Sequence, residues 1–99
     1  MLSKDLVMGF LKDKEYSKIV DYFSDEYKSI LEDFLIKNKI EVSDKETMID
    51  VMYKVETNFP QHSGLMMLIS ISLFNEDMTI GDRIEKLIDN YDIVTKRLT

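Results

Sequence analysis

Leu65-Met-Met-Leu-Ile-Ser-Ile-Ser-Leu-Phe74 decides the fold. Eight of these ten residues are apolar and the other two are small serines. No other stretch of the chain is apolar all the way round. Such a segment must be enclosed by other elements, so it locates the core. It is too short to span a bilayer, which needs about 20 apolar residues. It also carries no group that performs chemistry. Ser63-Gly64 opens it as a helix and Asn75-Glu76-Asp77 closes it, which places a buried apolar helix at about 64–75.

The flanking segments are amphipathic. Ser3 caps a short first helix, roughly 4–12, with Leu6, Val7, Phe10 and Leu11 on one side. Asp13-Lys14-Glu15 is either a turn or a continuation; whether residues 12–16 break the helix stays open. Tyr16, Ile19, Val20, Phe23, Tyr27, Ile30, Leu31, Phe34 and Leu35 then recur at steps of three and four. This is one stripe on a helix of some twenty residues. Ser24-Asp25 is a second start signal that would put a kink there, and Asn38 marks the end.

Ser43-Asp44-Lys45-Glu46 fits a capping box. The helix after it buries Met48, Val51, Met52, Val55 and Phe59, and Pro60 stops it. Thr79 with Asp82 starts the last helix, which buries Ile80, Ile84, Leu87, Ile88, Tyr91, Val94 and Leu98. Lys96 and Arg97 in its final turn suit the helix dipole.

The expectation is therefore an all-α fold. It is a small antiparallel bundle of four main helices plus a short N-terminal helix, forming a single domain over 1–99. Short connections imply mostly antiparallel neighbours. With 99 residues, the chain buries roughly two-thirds of its unfolded surface, enough for one core. One proline and three glycines are too few for the turns of an all-β domain.

Composition excludes several functions. The absence of cysteine removes disulfides, thiol nucleophiles and thiolate zinc sites, and fits a reducing cytoplasm. The opening MLSKDLVMGFLKDKEY has no small-residue cleavage site, so no signal peptide is expected. A net charge of −6 argues against broad nucleic-acid or anionic-membrane contact. Lys12, Lys14 and Lys18 surround one turn, and Lys37, Lys39 and Lys45 another. Tyr16 and Tyr22 near the first group could stack bases, but Asp13, Glu15 and Asp21 interleave.

Candidate chemistry is sparse. His62, the one histidine, lies in Pro60-Gln61-His62-Ser63 and reads as a solvated loop residue. Sequence neighbours rarely reach triad geometry, and no nucleophile elbow or glycine-rich phosphate loop occurs. Asp82, Glu85, Asp89 and Asp92 share one face of the last helix, opposite its apolar stripe, and read as a solvated face. No catalytic residue, metal ligand or cofactor is expected.

Some apolar residues lie off the core stripes. Tyr22 and Ile36 sit away from the main face of the long helix. Ile49 and Tyr53 form an i, i+4 pair flanking the core face of the third helix. Ile93 sits among the acids of the last helix. With the seven methionines they are candidates for a contact surface toward a protein partner or a second copy. Two other expectations stand beside this one. Met48, Met52, Met66 and Met67 would line the pocket of a ligand-binding bundle, and His62, Ser63 and Asn58 would serve an enzyme.

One family is similar in pattern. Leu31-Glu-Asp-Phe-Leu-Ile-Lys-Asn-Lys-Ile40, then Thr47-Met-Ile-Asp-Val-Met52, resembles HEPN domains, where a long Leu-rich helix turns into a short helix starting near a threonine. Residues 81–98 resemble the last HEPN helix in length and pattern. Asn38 stands where the family often has glycine. The RNase members carry an Arg-x4-6-His motif. Here Arg83 and Arg97 both follow His62, so the motif is absent. The resemblance implies a non-catalytic member: a partner-binding or dimerising bundle, set beside a nucleotidyltransferase or in a toxin–antitoxin or phage-defence system. An RNase-related toxin without the motif is its other implication.

Overall fold

The computed structural model describes residues 3–99. Met1 and Leu2, the first two residues of the stretch read for a signal peptide, lie outside the described residues. Among the described residues, five α-helices follow one another: α1 Lys4–Lys12, α2 Tyr16–Lys37, α3 Met48–Asn58, α4 Ser63–Phe74 and α5 Ile80–Leu98. A single 3-10 turn, Pro60–His62, joins α3 to α4. The fold is all-α, as the periodicity predicts. Among the described residues no helix is long and apolar enough to cross a membrane.

Local chemistry sets most boundaries. Ser3 Oγ accepts from the Leu6 amide at 3.3 Å, capping α1. Lys14 takes a positive φ of 57°, so residues 13–15 form a turn that ends α1. α2 runs unbroken through Ser24-Asp25 for 22 residues. Its cap is Asn38, and the left-handed residue that turns the chain away is Lys39, φ 64°.

The capping box lies four residues later than its sequence pattern suggests. The Ser43 hydroxyl accepts from the Lys45 amide, and the Glu46 amide bonds to the Ser43 carbonyl, which makes a turn. The reciprocal box belongs to Thr47 and Asp50: Thr47 Oγ1 accepts from the Asp50 amide at 3.2 Å and Asp50 Oδ2 from the Thr47 amide at 2.9 Å. Glu46 instead pairs with Lys54, whose Nζ also donates to the Glu41 carbonyl at 2.8 Å. That pair pins the connector to α3.

These bonds from Thr47, its backbone amide first, hold the Asp50 carboxyl below the ordinary carboxylate range. A depressed carboxyl stabilises the fold above its unfolded value, near about pH 4, and that contribution disappears as pH falls through the folded value. Thr47→Ala is expected to cost about 1 kcal/mol at neutral pH. Urea titrations should show the gap to the unmutated chain narrowing in acid. Equal midpoints at neutral pH would place the helix start elsewhere.

Packing pairs the helices in two ways. α1 folds back on α2, where the Ser3 amide donates to the Tyr22 hydroxyl at 2.8 Å. α5 folds back on α4 across the short Asn75–Thr79 link. The most extensive contact, α2 with α5, runs parallel. Tyr27 meets Leu87 and Tyr91 midway, and Lys37 Nζ reaches the Thr99 carbonyl at the shared end. The α1–α2, α3–α4 and α4–α5 pairs are antiparallel, whereas α3 runs in the same sense as α2, bringing Phe59 at its end against Phe34 late in α2.

The core sits between these layers. Ile19, Phe23, Tyr27, Leu31 and Leu35 of α2 face Ile84, Leu87, Tyr91, Val94 and Leu98 of α5. Val51 and Val55 of α3 and Leu65, Ile69 and Leu73 of α4 close it. Two expected core residues of α5, Ile80 and Ile88, are instead more than a third exposed. Phe59 is half-buried, edge-on to Phe34 with ring centroids 4.8 Å apart.

Candidate functional site: an apolar groove between α3 and α4

The apolar helix α4 is enclosed on one side only. Leu65, Met66, Ile69, Ser72 and Leu73 are buried. Met67, Leu68, Ile71 and Phe74 face outward, Met67 with 63% of its surface exposed. The geometry is that of a helix with neighbours on one flank. α2, α3 and α5 all contact α4, but none crosses its outer side.

The outer side of α4 continues onto α3. Ile49 and Tyr53 are exposed, 63% and 69% respectively, and line a groove with Met52 and Glu56 of α3 and Ser63, Met66, Met67, Ser70, Ile71 and Phe74 of α4. The groove encloses about 650 Å³. Ile49, Tyr53, Met67, Ile71 and Phe74 are all more than a third exposed and together leave a patch of roughly a few hundred Å² open. That is at the upper end of what a monomer exposes without using it.

The position of α4 depends on a polar clamp that has no local sequence signal. The Arg83 guanidinium, from the first turns of α5, donates to the Ser72 carbonyl at 3.2 Å through Nε and to the Leu73 carbonyl through Nη2. These carbonyls lie in the last turn of α4, where no helical partner exists for them. Asn90 Nδ2 adds a bond to Ser72 Oγ at 3.2 Å, and that hydroxyl donates back to the Leu68 carbonyl at 2.8 Å. A cation at a helix C-terminus also suits its dipole.

The five off-stripe candidates separate in space. Ile49 and Tyr53 meet in the groove. Tyr22 is half-buried, with its hydroxyl bonded to the Ser3 amide under α1. Ile36, near the end of α2, and Ile93, on α5, are exposed but outside the groove lining. Of the four methionines expected around a ligand pocket, Met48, Met52 and Met66 are buried in the core; Met52 and Met66 reach the floor of the groove, and only Met67 is exposed along it. The pocket is an open trough rather than an enclosed chamber. Ile71, within the apolar run, also lines the groove and has no local signal that sets it apart from its buried neighbours.

The polar candidates do not assemble. His62 is half-buried rather than a solvated loop residue, with its ring edge-on to Phe34 at 5.4 Å. Asn58 Nδ2 donates to the Lys54 carbonyl at 2.8 Å. No hydrogen bond among the described residues joins His62 to Ser63 or Asn58. Asp82, Glu85, Asp89 and Asp92 are all exposed. No group of three or more metal-binding side chains occurs among the described residues.

Fold and groove together define a small all-α protein with an open apolar trough between two helices. No known protein family matches the chain. No curated protein and no solved structure matches it either.

Proposed function

We propose that this chain is a non-enzymatic interaction domain of the cytoplasm, and that the α3–α4 groove is its binding face. The observation that carries the reading is the open side of α4. A helix with no charged residue over Ser63–Phe74 leaves Met67, Leu68, Ile71 and Phe74 uncovered. Burying such surface contributes about 25 cal/mol per Å². An open apolar patch of this kind favours docking, provided that the partner's own contacts offset the costs of association. The resemblance to HEPN domains, with the RNase motif missing, supports the same role, since it implies a partner-binding or dimerising bundle.

Photo-crosslinking in the native host tests the reading. A benzophenone side chain in place of Met67 should give a discrete adduct with another protein or with a second copy of the chain. The same group in place of Ile36, exposed on α2 outside the groove, should not. Adducts from both positions, or from neither, would remove the groove as the binding face.

A further inference from the structure

The groove has the shape and charge of a seat for one kind of partner. Ile49, Tyr53 and Glu56 on α3 follow one another at steps of four and three. Met67, Ile71 and Phe74 do the same on α4. Two helical ridges bounding a trough accept a third helix by ridges-into-grooves packing. An added strand would need an open sheet edge, and the described residues contain no strand. α4 has 12 residues, so the trough is about 18 Å long, room for three turns of a bound helix.

The border of the trough is acidic. Glu56 is part of the lining; Asp50, engaged in the capping box of α3, adjoins Ile49, and Glu76 and Asp77 follow Phe74 after Asn75, just beyond the end of α4. Among the described residues, Glu56, Glu76 and Asp77 have no ion-pair partner. α4 has no charge, and Lys54, the one lysine or arginine on α3, is engaged by Glu46 and the Glu41 carbonyl. A second copy would set this acidic border against its own, between chains that each carry −6.

We infer that the groove takes an amphipathic helix from another protein, with lysine or arginine flanking its apolar ridge. This rests on the groove being the binding face. The arrangement divides the work: the ridge supplies burial, and the flanking cations supply approach rate and selectivity against acidic helices.

Two fluorescein-labelled helical peptides of four turns test this by anisotropy against the full chain. Both carry leucine at i, i+3, i+4 and i+7; one has lysine at the flanking positions and the other glutamate. The lysine peptide should bind about tenfold or more tightly than the glutamate peptide, and the preference should shrink at high salt. Glu56→Lys should narrow the gap. Tyr53→Gln/Phe74→Gln should abolish binding of both. Equal binding of the two peptides, lost in the double variant, would overturn the charge assignment and leave the groove reading standing. Binding unchanged in the double variant would remove the groove itself. No binding of either peptide up to about 100 µM, with the Met67 adduct formed to a second copy, would replace the basic helix by self-association. No binding and no adduct would overturn both.

Discussion

Tyr27→Ala is expected to destabilise the fold by about 3–5 kcal/mol, as for other large aromatic truncations. That is much of the roughly 5–15 kcal/mol a domain possesses. Tyr27 is fully buried where α2 and α5 run parallel, with ring centroids 6.0 Å from Phe23 and 6.1 Å from Tyr91. Its removal leaves a cavity in the most extensive helix–helix contact of the molecule. Tyr27→Phe isolates the hydroxyl, which donates to the Leu87 carbonyl at 2.6 Å. That variant should lose only about 1 kcal/mol, because the carbonyl belongs to a helix and retains its own amide donor.

The pH dependence of the two variants separates packing from the hydroxyl. Burial lifts the Tyr27 phenol above its ordinary value, with the Tyr91 and Asp92 charges adding to the shift. A raised phenol gives stability that is fully present below the unfolded value, about pH 10, and lost as pH rises toward the folded value. Unmutated protein should therefore lose stability in alkali, and Tyr27→Phe should flatten that limb. Denaturation midpoints across pH 7 to about 11 measure it. An unchanged alkaline limb in Tyr27→Phe would mean that another group controls it.

Arg83→Ala is expected to cost about 2 kcal/mol, in the range for hydrogen bonds from charged donors. The larger consequence is local. Without the guanidinium, the carbonyls of Ser72 and Leu73 lose their donors and the last turn of α4 frays. Phe74 sits in that turn, so one end of the groove loses its fixed geometry. Hydrogen exchange should speed up over residues 70–75 more than in α2. Arg83→Lys should restore little, because one ammonium does not reproduce two directed N–H donors on a planar fork. Uniform acceleration across all helices would instead make Arg83 a general stability residue.

The helices, their order and most caps are legible in the sequence because each signal is local. Ser3 and Thr79 each stand three residues before an amide that they cap. The start of α3 is less legible, since Ser43-x-x-Glu46 and Thr47-x-x-Asp50 have the same pattern. Lys54 decides between them by engaging Glu46. Long-range choices leave weaker traces. Tyr22 lies off the α2 stripe yet is covered, because α1 folds over it. Ile88 lies on the α5 stripe yet is exposed, because it faces α1 across an open apolar pocket lined by Val7, Met8, Leu11 and Phe23.

The groove was half legible. Ile49 and Tyr53 stand out as an apolar pair beside the core face of α3. The run at Leu65–Phe74 marks the core, but an all-apolar helix has no polar face to show which side remains open. Only the placement of α3 and α5 resolves that, leaving Met67, Ile71 and Phe74 outside.

The most direct test joins stability to binding in one double variant, Tyr53→Gln/Phe74→Gln, made in the chain with the photoreactive group in place of Met67. Both residues are exposed, so the folding midpoint should move by no more than about 1 kcal/mol, while the adduct from position 67 disappears. An unfolded variant would show that the outer side of α4 is core. A folded variant that still forms the adduct would show that the groove does not bind the partner.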